Sequence, residues 1–183
     1  MASGAASAPT TRLHFTYDAW NRLASVRYDD DGDPGTVLAE YRYDGLNRRI
    51  AKLVAGADWD RTDFYYNEAW QVLEERRQDD VLNSKEEVPT TTFCQYIWDM
   101  RYIDAPVVRF RDADRDGDVD DTYYYCTDAN MNATALVNAS DGTVAERYVY
   151  DPYGQAVIRS ADWGKAVAAP GAPAEPRPSE SRV

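Results

Sequence analysis

Apolar and polar residues alternate along much of this chain with a period of two. RLASVRY (22–28), TVLAEYRYD (36–44) and RRIAKLVA (48–55) each send every second side chain to one side, the pattern of a strand with one wet face. Comparable segments lie at 61–66, 70–76, 90–98, 106–111, 121–126, 133–137, 143–150 and 155–160. About eleven short strands with turn signals between them predict an all-β fold, an antiparallel meander with no long helix. The rival element is a helix over NEAWQVLEERRQ, in which Trp70, Leu73 and Arg77 fall on one helical face. The polar stretch 78–89 reads as a loop between strands.

The turns carry a repeat. Tyr-Asp occurs at Tyr17-Asp18, Tyr43-Asp44 and Tyr150-Asp151, with Tyr66-Asn67 as a diverged copy, and the early copies recur at about 25-residue intervals, a hairpin plus its return. An Asp at the first position of a type I turn accepts a bond from the backbone N–H two residues on. Three residues after each Asp stand Asn21, Asn47 and Gly154, residue types that tolerate the left-handed conformation closing a three-residue hairpin with a bulge. Pro152, directly after Asp151, presets φ for the same turn.

Composition adds little to the fold but narrows the partners. The 183 residues are 44% hydrophobic, enough for one ordinary domain. Fourteen Tyr and five Trp against four Phe suit half-buried β surface, because each carries a polar tip. With 32 acidic residues against 20 Lys plus Arg the formal charge is −12, which disfavours nucleic acid and anionic membranes and favours cations. No apolar run is long enough for a membrane helix. MASGAASAPTTR has neither a basic start nor an apolar core, so no signal peptide is expected within this chain. Residues 1–11 and the Pro/Ala-rich 161–183 are expected to be disordered, flanking a β-sheet domain over 12–160. Cys94 and Cys126 are compatible with one disulfide or with two small buried thiols.

One loop has chemistry of its own. In DADRDGDVDD, Asp112, Asp114, Asp116 and Gly117 match positions one, three, five and six of a calcium loop. Asp118 offers a carbonyl at seven and Asp120 a carboxylate at nine. Position twelve is Tyr123 rather than a bidentate acid, which points to weak or structural calcium binding; the alternative is an acidic hairpin tip that discourages edge pairing. YDDDGDPG (28–35) places Asp29, Asp30 and Asp31 on adjacent positions and reads as a plain turn. The single His14 sits in the alternating RLHFTYD with no catalytic motif beside it, and no catalysis is expected. Tyr123, Tyr124 and Tyr125 are the densest aromatic group; on a strand only Tyr123 and Tyr125 share a face. They suit either cross-strand packing or stacking on sugar rings. NAT (132–134) and NAS (138–140) match glycosylation acceptors.

The Tyr-Asp turns, the NRL and NRRI after them, and the succession RYIDAPV, DANMNATALV and ERYVYDPYG resemble the Rhs or YD-repeat family, in the region leading into its repeat-associated core. The resemblance covers most of 12–158. It implies a curved antiparallel sheet that forms part of the wall of a hollow β-shell, as in bacterial toxins, polymorphic effectors and teneurins. It also implies a secreted or surface location, neighbouring repeats or self-association as partners, and an encapsulated effector or a carbohydrate as ligand. Family shells are several times longer, so the resemblance further implies a fragment, a truncated gene product or a remnant. Past DPYG a Pro-rich tail stands where complete cores continue to their self-cleaving Asp residues, and no family catalytic residue carries over. The function expected is an encapsulating scaffold; the alternative is a calcium-stabilised surface module binding a glycan or a partner protein.

Overall fold

In the computed structural model of the chain, residues 12–56, 59–81, 90–102 and 104–164 are described. They form twelve strands, each hydrogen-bonded to its sequence neighbours in one open sheet. β1 is Leu13–Tyr17, β2 Leu23–Asp30, β3 Asp33–Tyr43, β4 Arg49–Ala55, β5 Trp59–Tyr66 and β6 Val72–Val81. β7 is Thr91–Trp98, β8 Pro106–Arg111, β9 Asp121–Thr127, β10 Ala133–Asn138, β11 Val144–Tyr150 and β12 Ala156–Ser160. The fold is therefore an all-β antiparallel meander, with no helix among the described residues. Accordingly, no described helix is long and apolar enough to cross a membrane.

Three element boundaries differ from the sequence pattern. The helix over NEAWQVLEERRQ does not form: 68–70 is a turn, and from Val72 the chain pairs antiparallel with β5, Tyr66 opposite Val72 and Tyr65 opposite Glu74. Cross-strand pairing satisfies every alternate side chain there, which a solitary helix on an all-β surface would not. β6 runs on to Val81, inside the stretch assigned to a loop, because Gln78 and Val81 still find partners in Arg61 and Trp59. The remaining 82–89 lie outside the described residues. β1 forms within the alternating RLHFTYD and pairs in register with β2. At the other end, 161–164 were assigned to the tail but form a turn, with the Asp162 carboxylate accepting the Gly164 N–H at 3.0 Å; residues 1–11 and 165–183 are outside the described set.

The chain gathers into two compact units, one running to Gln95 and including Asp112–Asp118, the other comprising Tyr96–Arg111 and the residues from Val119 on. In the first, Ala39, Ala51, Leu53, Val81 and Cys94 are buried; in the second, Ala105, Val108, Ala135 and Leu136. Such short lists reflect that all the described strands lie in a single sheet. Leu53, fully buried, is flanked in register by Glu40 and Arg61, and Ala51 by Arg42 and Asp63. Long charged side chains shield apolar surface with their methylene stems while keeping their heads wet, and Arg61 Nε meets Asp63 Oδ1 at 3.0 Å.

Guanidinium–aromatic stacking adds to the packing of both units. In the first unit Arg49 lies over Tyr41 and Phe64, Arg76 over Tyr65 and Arg77 over Phe93. In the second, Arg109 lies over Tyr123 and Arg147 over Trp163. A ring face that must stay near water gains more from a cation above it than from another alkyl group. Neither cysteine is in a disulfide, and with Cys94 buried and Cys126 exposed on β9 they are not a pair of buried thiols either.

Candidate functional site

The Asp turns are the most elaborated local structure in the chain. At Asp18 the Asn21 N–H donates to the Asp18 carbonyl at 3.0 Å, and the Asp18 N–H to the Arg22 carbonyl at 2.9 Å. Asn21 has φ 60°, and Thr16 to Tyr17 carries the register shift of a bulge, which together make a type I turn closed by a left-handed residue. One carboxylate oxygen, Asp18 Oδ1, accepts the N–H of Trp20 and of Arg22 at 2.9 and 3.0 Å. The other, Oδ2, lies 2.6 Å from Arg22 Nε. Asp44 repeats every one of these bonds with Leu46 and Arg48, and Asn47 has φ 69°. The same backbone pattern recurs at Asp151 with Gly154 at φ 84°, and Pro152 occupies the position after the Asp.

Each arginine also reaches out of its own turn. Arg22 Nη1 donates to the Asp44 carbonyl and to Asn47 Oδ1, both at 3.0 Å, while its guanidinium lies 4.8 Å from the Tyr43 ring centroid. Tyr43 returns the grip, its hydroxyl donating to the Leu23 carbonyl at 2.9 Å. One repeat later Arg48 Nη1 donates to the Asn67 carbonyl at 3.0 Å and stacks on Tyr66, whose hydroxyl donates to the Arg49 carbonyl at 2.8 Å. Tyr17 opens the series on β1 and is exposed. Tyr43 and Tyr66 are thus clamps on the preceding turn, a role the local pattern does not reveal.

The electrostatics follow. Burial pushes the carboxyls of Asp18 and Asp44 up, but the arginine guanidinium and backbone N–H donors outweigh it and hold both below the usual carboxylate range. The diverged copy achieves the same geometry without charge. Asn67 Oδ1 accepts the N–H of Ala69 and Gln71 at 2.9 and 3.0 Å, and Asn67 Nδ2 donates to Gln71 Oε1 at 2.7 Å. Asp to Asn and Arg to Gln have changed together, so donor and acceptor remain matched. A further copy, lacking the tyrosine, stands at Asp128. Its Oδ1 accepts Asn130 and Asn132 N–H at 2.8 and 3.0 Å, and Met131 has φ 64°. An Asp followed four residues later by Arg, Gln or Asn is the signal that would have found it.

The acidic loop has a different logic. Asp112, buried, accepts the N–H of Arg115 with Oδ1 and that of Gly117 with Oδ2. Arg115 in turn pairs with Asp79. One carboxylate oxygen from each of Asp112, Asp114 and Asp116 lies within 4.8 Å of the others, so these three fit a hard cation. Asp118 and Asp120 lie outside that group. Asp118 donates its N–H to Asp116 Oδ1 and Asp120 its N–H to the Arg111 carbonyl. Tyr123 is on β9 under Arg109 and supplies no ligand. Asp29 caps a plain hairpin turn through the Gly32 N–H at 2.7 Å, with Asp31 and Gly32 both at positive φ. His14 faces Asp29 across β1 and β2 at 3.5 Å.

Of the tyrosine triplet, Tyr123 and Tyr125 are half-buried and Tyr124 is exposed. Their register partners on β10 are Asn138, Leu136 and Val137. Asn132 and Asn138, the two sequon asparagines, are both engaged, the first on Asp128 and the second on Ser140.

Fold and turns together define an antiparallel hairpin-repeat protein whose repeats are locked by Asp-capped turns. No family model matches the chain, and no curated protein matches it.

Proposed function

We propose that the chain is a non-catalytic, structural YD-repeat segment, one stretch of the wall of an encapsulating β-shell in a secreted or surface-associated bacterial protein of the polymorphic-toxin kind. The observation that carries the reading is the grip of each turn on the next, Arg22 on Asp44 and Tyr43, then Arg48 on Asn67 and Tyr66. Such a grip is directional and self-similar. It builds a lateral array that extends by adding hairpins, as in other repeat architectures. Exposed Leu13, Phe15 and Tyr17 on the edge strand β1 support neighbouring repeats or a second copy as the partner, since an open edge is a template for pairing. The shell would enclose an effector or present a carbohydrate surface.

The test is sedimentation velocity of the chain with hydrogen exchange. Concentration-dependent association that protects the β1 amides is expected, and Phe15→Lys should abolish it. A monomer at all concentrations, with β1 amides already protected, overturns the reading.

The second reading is a calcium-stabilised surface module that binds a glycan or a partner protein, favoured by the convergence of Asp112, Asp114 and Asp116. Calcium in excess of its dissociation constant would then stabilise the folded chain by mass action, seen as a raised melting temperature relative to chelator. Asp114→Asn should remove that shift. An unchanged melting curve in calcium and chelator sinks this reading without touching the first.

A further inference from the structure

We infer that the turn at Asp128 carries, on its side toward Trp98 and Tyr102, a recess for a guanidinium cation, the side chain of an arginine on a partner segment. This inference is independent of the shell reading.

Tyr150 stands to the Asp128 turn as Tyr43 stands to Asp18 and Tyr66 to Asp44. Its hydroxyl donates to the Ala133 carbonyl at 2.9 Å, one residue beyond Asn132, as Tyr43 donates to Leu23, one residue beyond Arg22. The clamp is kept, but the clamped guanidinium is not, since Asn132 stands where Arg22 and Arg48 stand in their turns. Asn132 ends on Asp128, its Nδ2 donating to Oδ2 at 3.0 Å. Beside Asn132 and Tyr150 there is a recess of about 400 Å³, bounded on its other side by Trp98, Tyr102 and Asp104. Its walls therefore combine three aromatic rings with a carboxylate, the set that recognises an organic cation by ring stacking and ion pairing. A planar guanidinium stacks on rings and forks onto oxygens, whereas a hydrated ammonium does neither as well. The chain's formal charge of −12 raises the local concentration of any cationic segment and repels anions.

The probe is Nα-acetyl-L-arginine amide, titrated into the isotopically labelled full chain while the indole N–H of Trp98 is followed by NMR. Saturable movement of that signal is expected, with at least several-fold weaker response to Nα-acetyl-L-lysine amide and none to a methyl glucoside. Free L-arginine, whose carboxylate meets the acidic surface, should bind more weakly than the capped amide; tighter binding would assign a small-molecule ligand and overturn the peptide source. Asn132→Arg should fill the recess, raise the melting temperature and abolish the response. Should that variant fail to fold, Asp104→Asn provides the second arm: several-fold weaker binding at unchanged melting temperature. No saturable response in the parent chain, equal response to the lysine probe, response to the glucoside alone, undiminished binding in Asn132→Arg, or unchanged binding in Asp104→Asn each overturns the inference.

Discussion

Leu53→Ala should lower the unfolding free energy by about 3 kcal/mol, and Leu136→Ala by a similar amount, the range for a wholly buried leucine whose cavity cannot collapse. Both side chains are fully buried, yet neither lies under a conventional apolar layer. Leu53 has Glu40 and Arg61 as register neighbours; Leu136 has Tyr125 and Glu146. Around Leu136 the cover is tied down, for the Tyr148 hydroxyl donates to Glu146 Oε2 at 2.6 Å, and burial together with that bond raises the Tyr148 pKa. A cover held by hydrogen bonds and backbone register cannot slump into the space a methyl pair vacates. Chemical denaturation with hydrogen exchange checks this. Protection should fall in β3–β5 for Leu53→Ala and in β9–β11 for Leu136→Ala. A loss below about 1 kcal/mol would mean that the stems relax freely and that these positions are not close-packed.

Acid should unfold the protein through its turns. The carboxyls of Asp18, Asp44, Asp128, Asp141 and Asp162 are all held below the ordinary value, and Asp99 is brought to about 2 by the side chain and N–H of Arg101. A depressed folded value means that the unfolded state binds protons first. The stabilisation is complete above the ordinary carboxylate range and is lost as pH falls through the folded values. The melting temperature should therefore be flat from neutrality to about pH 5 and fall progressively toward about pH 2. The uncharged Asn67–Gln71 turn supplies the control within the same sheet. Asp44→Asn with Arg48→Gln should make the decline shallower, and Asn67→Asp with Gln71→Arg should make it steeper. Comparing each variant with its parent at the same pH cancels the general relief of charge repulsion in a chain this acidic. Identical slopes for all three proteins would show that the turn carboxylates do not govern acid stability.

Strand period and turn chemistry were legible because both are written within a few residues. Alternation over 22–28 or 36–44 needs no partner to be recognised, and an Asp with Asn or Gly three residues later carries its own hydrogen bonds and its own left-handed closure. The acidic loop was equally visible, and three of its five aspartates converge. Where the local signal weakened, reading failed: the Asp128 turn follows a threonine instead of a tyrosine. The NEAWQVLEERRQ segment satisfied a helical face and a strand at once, and only its pairing with β5 decided between them.

What the amino-acid order determined by itself is the all-β class, the hairpin spacing and the residues that close each turn. What the tertiary structure alone decided is the work done between turns. Arg22 meets Asp44 and Tyr43, and Tyr150 closes over Ala133, only because bulged registers such as that between Arg42 and Tyr43 bring successive turns level. A one-residue slip would send those side chains to the other face. Register is a property of paired strands rather than of either strand, so neither the arginine grip nor the recess beside Asn132 was readable before the chain was folded.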